Sequence, residues 1–314
     1  MARTQFVTDS EDDGVTLAAA LRRHLATAWG GAPVAWSRVR RLCESGKVNL
    51  DGERSLDSAR RVKPGQAVEV DEARPAPDPA GDAARAALVW EDTHVVIINK
   101  PAGIQSVPYE RDDKDTAMDV IRAAWRRAGR RATEQPLFVV HRIDKETSGL
   151  LAFAKSKLSE RGLAAQFRAH EVQRTYQCVA HGQAESRRIE SYFLEDRGDG
   201  LRGSARQPHM AQGKRAVTHV RALQHLPRAT VCEVELETGK THQIRIHLAE
   251  AGHPLVGERV YIRDYASRGG EILPAPRLLL HAATLGFVHP VTEEALKFEA
   301  PLPPDYLEAL AKLR

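Results

Sequence analysis

The chain of 314 residues has three cysteines, Cys43, Cys178 and Cys232, and none lies in a Cys-x-x-Cys pair. This scattering offers neither a disulfide framework nor a thiolate metal site, and it fits a reducing, cytoplasmic setting. No uninterrupted apolar stretch approaches the length of a membrane span. The opening Met-Ala-Arg-Thr lacks the apolar run of a secretory leader. No Gly-x-Gly-x-x-Gly leads from a strand into a helix, and Gly-x-x-x-x-Gly-Lys-Ser/Thr and Gly-x-Ser-x-Gly are missing. Nucleotide cofactors and serine hydrolysis are therefore poorly supported. His242 and His247 are five residues apart, not the four that set two metal ligands on one helix face, so they are expected to be hydrogen-bonding groups. No internal repeat, collagen-like pattern or coiled-coil pattern appears.

What is present is ordinary in amount and uneven in place. Hydrophobic residues make up 42% and charged residues 28%, as in a globular protein. The net charge is +4. Between Ser37 and Lys63, eight basic residues (Arg38, Arg40, Arg41, Lys47, Arg54, Arg60, Arg61, Lys63) face four acidic ones, so this segment alone carries the whole excess. A local positive field suits a phosphate backbone; a solvated helix face is the plainer alternative.

Leu17, Leu21 and Leu25 recur every four residues and predict a first helix over Val15 to Ala28. Ser37 reads as the cap of a second helix that stops at Gly46 and carries Arg38 and Arg41 one turn apart. A short strand over Val48–Leu50 reaches a turn at Asp51-Gly52, and Pro64-Gly65 precedes another strand, Val68–Val70. Residues 1–72 are thus expected to form a small α+β unit. The stretch from Asp71 to Ala86, with prolines at 75, 77 and 79, reads as a linker (73–86) to a second domain at 87–314. That domain mixes strands at Leu88–Trp90, Val95–Asn99 and Arg174–Val179 with helices at Thr116–Gly129 and around Leu163 and Phe167. The mixture is α+β rather than a regular βαβ repeat.

Between two apolar runs, Leu137–Val140 and Leu150–Ala154, lie five ionisable residues in six positions: His141, Arg142, Asp144, Lys145 and Glu146. A loop needs polar residues, and Asp144 could simply cap a turn near Glu146 or Thr147. A chemical role would require a cation beside it. Arg245 is a candidate. The tract His242–Leu248 alternates like a strand, but Thr241 can cap a helix and Gly252 can end one; a helix is favoured, with Arg245 in its first turn. A surface arginine remains the alternative. Tyr176 shares a strand face with Cys178 and gains interest only if that face meets Asp144.

HRIDKETSGLLAFAKS (141–156) resembles the signature of the RluA-type pseudouridine synthases. The likeness continues through VVIINKPAG (95–103), RTYQCVAHG (174–182), GKRAVTHV (213–220), TGKTHQIRIHL (238–248) and RLLLHAATLGFVHP (277–290), in family order. Ile143 stands in place of the usual leucine, an apolar swap. The segment SRVRRLCESGKVNLDGE separately resembles the small RNA-binding module named after the fourth small-subunit ribosomal protein. The resemblance implies a central mixed, largely antiparallel sheet flanked by helices, preceded by the RNA-binding module. It implies isomerisation of uridine to pseudouridine within structured RNA, most plausibly large-subunit ribosomal RNA, by base flipping without cofactor or metal; transfer RNA is the alternative substrate. By the same resemblance Asp144 is the catalytic carboxylate. Tyr176 is the active-site tyrosine that packs on the base and has been assigned a base role, and Arg245 is the partner of the aspartate. Arg142 fills the gap left by the flipped nucleotide, and Leu280 lines the pocket. His141, Lys100, Arg38 and Arg41 are expected to contact RNA, and a cytoplasmic monomer is expected. Two rivals are an RNA N-glycosidase using Asp144 with Glu146, at the short end of carboxylate-pair separations, and a non-catalytic RNA-binding or ribosome-assembly protein.

Overall fold

The computed structural model describes residues 3–55, 58–73, 88–108, 113, 116–130, 135–198, 200–205 and 213–314. The chain divides into two compact units, Met1–Gly81 and Asp82–Arg314. All but residues 71–73 of the expected linker lies outside the described residues.

The first unit sets two helices, α1 (Leu17–Ala28) and α2 (Trp36–Glu44), on an antiparallel sheet of β1 (Arg3–Val7), β2 (Val48–Leu50), β3 (Glu53–Arg54) and β4 (Ala67–Asp71), in the order β1-β4-β2-β3. The four-residue spacing does its expected work: Leu17, Leu21 and Leu25 are fully buried against Val39, Val48, Val62 and Val70. Helix α1 begins at Leu17 rather than Val15: Thr16 caps it, its hydroxyl accepting the Ala19 N–H, while the Val15 carbonyl pairs with Val62. Helix α2 instead starts two residues before the expected site. Ala35 stands at the cap without a side-chain bond, Ser37 is inside the helix, and Trp36 opens it beneath the Arg22 guanidinium. Asp51 and Gly52 both have positive φ, as a two-residue hairpin turn requires. Arg38 is exposed, ion-paired with Glu72 and stacked on Trp29 at 4.3 Å; Arg41 lies exposed in the last turn of α2. The carboxylates of Asp9 and Asp12 converge on Arg23, at 2.6 and 2.7 Å, so a guanidinium sits where these acids could otherwise gather a cation.

The second unit is built on an eleven-stranded sheet. In chain order its elements are β5 (Leu88–Glu91), β6 (Val95–Lys100), α3 (Ala117–Arg127), β7 (Phe138–Val139), β8 (Ser148–Ala154), α4 (Lys157–Ala169), β9 (Gln173–His181), β10 (Arg187–Leu194), β11 (Gly203–Ser204), β12 (Lys214–His225), β13 (Ala229–Leu236), α5 (Gln243–Glu250), α6 (Arg263–Ser267), β14 (Leu280–Val288), β15 (Ala295–Glu299) and α7 (Pro304–Ala311). The main path runs β11-β10-β12-β13-β9-β14-β8-β6-β5, with β15 on β14 and β7 on β8. Only β14 and β8 pair in parallel, which makes the sheet mixed and largely antiparallel, as expected. Every residue of β8 is buried, so the apolar run after the charged loop is a central strand. Helix α3 carries Ile121 and Trp125 onto Val96, Ile98, Leu151 and Phe153 on one face of this region. On the other face Leu163 of α4 packs with Val95, Leu150 and Ala152.

Ala282 of β14 pairs with Gly149 on one side and Tyr176 of β9 on the other. Gly149 has φ +114, and a Cβ there would lie 2.2 Å from the Ala282 carbonyl oxygen. The glycine is what lets β8 close onto β14 just after the charged loop. Tyr176 is thereby registered across β14 from the end of that loop.

Candidate active site

The loop between β7 and β8 is strapped from beneath. Ser106 brackets Ile143, its hydroxyl donating to the Ile143 carbonyl (2.6 Å) and accepting the Ile143 N–H (3.1 Å). The Gly103 N–H donates to the Lys145 carbonyl. Lys100 is completely buried, and its Nζ donates to the carbonyls of Pro101, Ile104 and Lys145 at 2.9–3.1 Å. Burial pushes the Lys100 amine down to about 7, against the pull of Glu146 and Asp144. The expectation that Lys100 contacts RNA is therefore corrected: it ties down the Asp144 loop from inside. A lysine at a strand end reads as a surface charge, and only the three carbonyls gathered under the loop explain its burial.

Asp144 sits between these straps. The turn that follows is closed by the main chain, Thr147 N–H to Asp144 carbonyl oxygen at 3.1 Å, so the side chain is not needed as its cap. Among the described residues the carboxylate accepts no hydrogen bond, and it opens into a cleft of about 550 Å3 walled by Tyr176, Leu280, Ile143 and Ile244. Tyr176, in the same cleft, is mostly buried; desolvation and then the nearby Asp144 charge push its phenol up, with Arg174 opposing. Burial thus favours its neutral, protonated form. Leu280 lines the same wall.

Arg245 arrives from α5. The helix is buried on every side from Gln243 to Leu248, which is why the segment reads ambiguously between helix and strand. Thr241 does not cap it. His242 holds the cap position with φ +59, and a turn closed by Gln243 N–H to the Lys240 carbonyl leaves Thr241 outside. Gln243 fixes that turn, its Oε1 accepting from Lys240 N–H and the Thr238 hydroxyl while its amide donates to Val217 O and Thr218 Oγ1. Arg245 then points into the cleft with Nη1 3.9 Å from Asp144 Oδ2.

That contact is the looser of two. The main partner of Arg245 is Glu258, which sequence reasoning missed. Nε and Nη2 donate to its two oxygens at 2.7 Å each, and the Glu258 side chain is fully buried. Oε1 also accepts the N–H groups of Arg259, Val260 and Tyr261. These bonds hold the Glu258 carboxyl below its usual range despite burial, and Glu258 holds the guanidinium above its own. Two acids flank one cation, the inner fully bonded and the outer, Asp144, unbonded. No signal in sequence marks Glu258; the fold shows Gly257 before it with φ +83, packed so close to the Arg277 carbonyl that no Cβ would fit. Tyr261 completes the cluster, its ring 5.3 Å from the Arg245 guanidinium carbon and its hydroxyl 2.8 Å from His242 Nδ1.

The remaining predicted residues divide by exposure. Arg142 is exposed at the cleft. His141 lines the cleft but is not a cation there. Its Nε2 accepts the Ala152 N–H, its ring stacks on Phe167 at 4.4 Å, and burial pushes it down to about 3. Glu146 is exposed and does not line the cleft, which removes the paired carboxylate an N-glycosidase would need. His247 bonds the hydroxyls of Ser191 and Thr218. Around the cleft stand Arg142, Arg168, His170, Arg174, Lys240 and Arg245, and among the described residues Asp144 is the only acid lining it.

One carboxylate in a basin of cations is the site of an enzyme acting on a polyanion. The chain belongs to the RNA pseudouridylate synthase family, whose pattern matches residues 94–250, and it is an isomerase acting on RNA. It is 36% identical over 283 residues to the ribosomal large subunit pseudouridine synthase D of Zymomonas mobilis, covering 85% of this chain and 86% of that one. It is 34% identical to synthase C of Vibrio cholerae over 88% of each chain. The solved structure of human RNA pseudouridylate synthase domain containing 4 shares the fold, with a TM-score of 0.57 at 23% identity over 75% of this chain and 95% of its own. Among the described residues, no helix is long and apolar enough to cross a membrane.

Proposed function

We propose that this protein converts particular uridines of large-subunit ribosomal RNA to pseudouridine in the cytoplasm, with Asp144 as the reacting carboxylate. The relatives named for that substrate support the choice of RNA. The observation that carries the chemistry is the unbonded Asp144 carboxylate, 3.9 Å from a guanidinium that Glu258 holds elsewhere.

The reaction is an isomerisation with no net redox change. The C1′–N1 bond breaks, uracil turns, C1′–C5 forms, the C5 proton leaves and N1 gains one. The target base must first leave its stack at a cost of roughly a few kcal/mol, offset by packing in the pocket. Tyr176 and Leu280 supply apolar faces for the uracil, and Arg142 at the mouth is the group to fill the vacated position. Asp144 meets the sugar carbon as positive charge develops there, and a closed cleft keeps water from ending the reaction as hydrolysis. Such chemistry draws on no cofactor. In the first unit, Arg38 and Arg41 on α2 are the candidates to hold RNA phosphates.

The test is carbodiimide-adduct mapping of total RNA with and without the gene, followed by complementation with Asp144→Asn. The expected result is loss of defined pseudouridines in large-subunit RNA, unrestored by the variant although it still binds RNA. Restoration by Asp144→Asn would refute the assignment. Lost sites in transfer RNA alone would change the substrate and leave the chemistry. Equal loss of activity in Glu146→Gln would favour the paired-carboxylate rival.

A further inference from the structure

Among the described residues, Arg174 is the one cation of the cleft that is buried without an acid. It is 9% exposed, and its Nε has no hydrogen-bond partner. Its single bond is a long one, Nη2 to the Leu236 carbonyl at 3.4 Å. No carboxylate of the described residues comes within ion-pairing distance of it. By contrast Arg245, comparably buried, has Glu258. Its Nε is cut off from water with no acceptor, a cost that an anion arriving in the cleft would offset. The side chain is nevertheless held in place: it lies over the Phe167 ring at 5.7 Å, Phe167 stacks on the neutral His141, and Gly239 leaves room for Nη1. Arg174 and Tyr176 are two residues apart on β9 and face the same cleft, about 6–7 Å apart along the strand. Arg168, His170 and Lys240 line the same cleft.

We infer that Arg174 is an anion-binding residue of the cleft, built to take a phosphodiester that flanks the flipped nucleotide. This rests on the RNA-isomerase reading above. The planar fork of Nε and Nη groups matches two phosphate oxygens, and the ligand supplies the negative charge the folded protein omits. The distance from Tyr176 along β9 suits a linkage next to the base that Tyr176 contacts, rather than a remote stretch of backbone.

The experiment uses the full-length protein and a synthetic RNA fragment carrying a uridine identified by the mapping above. Arg174→Gln is expected to lower kcat/KM about ten- to a hundred-fold through KM, with kcat retained. The slope of log binding constant against log salt should become shallower by roughly 0.7. Arg174→Lys should recover part of the loss, since it keeps the charge and not the fork. The variant should also melt no lower than the wild type, because an unpaired buried charge has been removed. The decisive arm needs no mutant. A neutral methylphosphonate at one linkage flanking the target should weaken the wild-type protein by the same factor and leave Arg174→Gln unaffected. If Arg174→Gln lowers kcat at unchanged KM and salt slope, or if neither flanking methylphosphonate removes the difference between the proteins, the anion subsite is refuted. Competition by inorganic phosphate as strong against the methylphosphonate RNA as against the native one would instead assign the guanidinium to free anions. Failure of the wild type to modify any RNA would overturn the functional reading itself, a distinct result.

Discussion

Replacing Glu258 by Gln separates the two acids that flank Arg245, and its cost follows from the bonds. Oε1 accepts four N–H groups (Arg245 Nη2 and the main chain of Arg259, Val260 and Tyr261), whereas Oε2 accepts only Arg245 Nε. A glutamine keeps its oxygen at the crowded position and turns its NH2 toward Nε, donor against donor. The guanidinium then loses both a bond and its counter-charge inside the protein. Breaking one side of a buried pair costs about 3–5 kcal/mol, which in a unit of this size lowers the melting temperature by roughly 6–20 °C. The kinetic consequence is separate. Arg245, released on one side, has a single acid left, Asp144, now 3.9 Å away. Closing that gap to a direct charge-assisted hydrogen bond, about 1.5–3 kcal/mol, ties up the oxygen that must meet the sugar. The isomerisation step should slow by about ten- to a hundred-fold while RNA affinity holds. Single-turnover release of tritium from C5-labelled uridine, with enzyme in excess and below the variant's melting temperature, reads that step. Glu258→Asp, which keeps the charge, should recover part of the rate. A variant that melts early yet reacts at the wild-type rate would refute the claim that Glu258 keeps Arg245 off Asp144; unchanged melting would refute the anchor altogether.

Lys100 gives the pH dependence. Its amine titrates near 10.5 unfolded and about 7 folded, so between those values the unfolded chain holds a proton the folded one has released. Stability from this group therefore rises as pH climbs through the window, by at most about 4–5 kcal/mol, and is lost as pH falls to 7. Lys100→Met should abolish that rise in urea titrations and slow isomerisation at every pH, since the Lys145 carbonyl loses its donor; parallel stability curves for the two proteins would refute it. Removing residues 1–80 should weaken RNA binding and flatten its salt dependence while the second unit, with its own core and cleft, still isomerises at high RNA concentration. A truncated protein inactive at any RNA concentration would show that the first unit does more than bind.

Local chemistry made much of this protein legible. The leucines of α1, the Asp51-Gly52 turn and the strands either side of the charged loop follow from spacing and turn residues, because each is decided within a few neighbours. Helix α5 was harder to read because it is buried all round, and a helix without a polar face has no helical period to betray it. The cap at Ser37 failed for another reason: α2 starts after Ala35, which makes no side-chain cap bond, so no hydroxyl marks its start. Glu258 lay out of reach because its importance is defined by Arg245, thirteen residues earlier and brought beside it by the fold. The burial of Lys100 likewise depends on carbonyls gathered from three separate residues.

The five charges of the 141–146 loop can be assigned one by one, and the assignments explain why they sit together. His141 is neutral and serves as a wall that also accepts a β8 N–H. Lys145 is used through its carbonyl, the point where Lys100 and Gly103 grip the loop. Glu146 and Arg142 face outward. Asp144 turns into the cleft as a charge, and among the described residues it accepts no hydrogen bond. A carboxylate in that state is reactive but poorly held, so its position must come from the main chain on either side. That is what the bonds at Ile143 and Lys145 provide. Rigidity is thereby placed in the backbone and freedom left in the side chain, an arrangement suited to an acid that must bond to substrate rather than to protein.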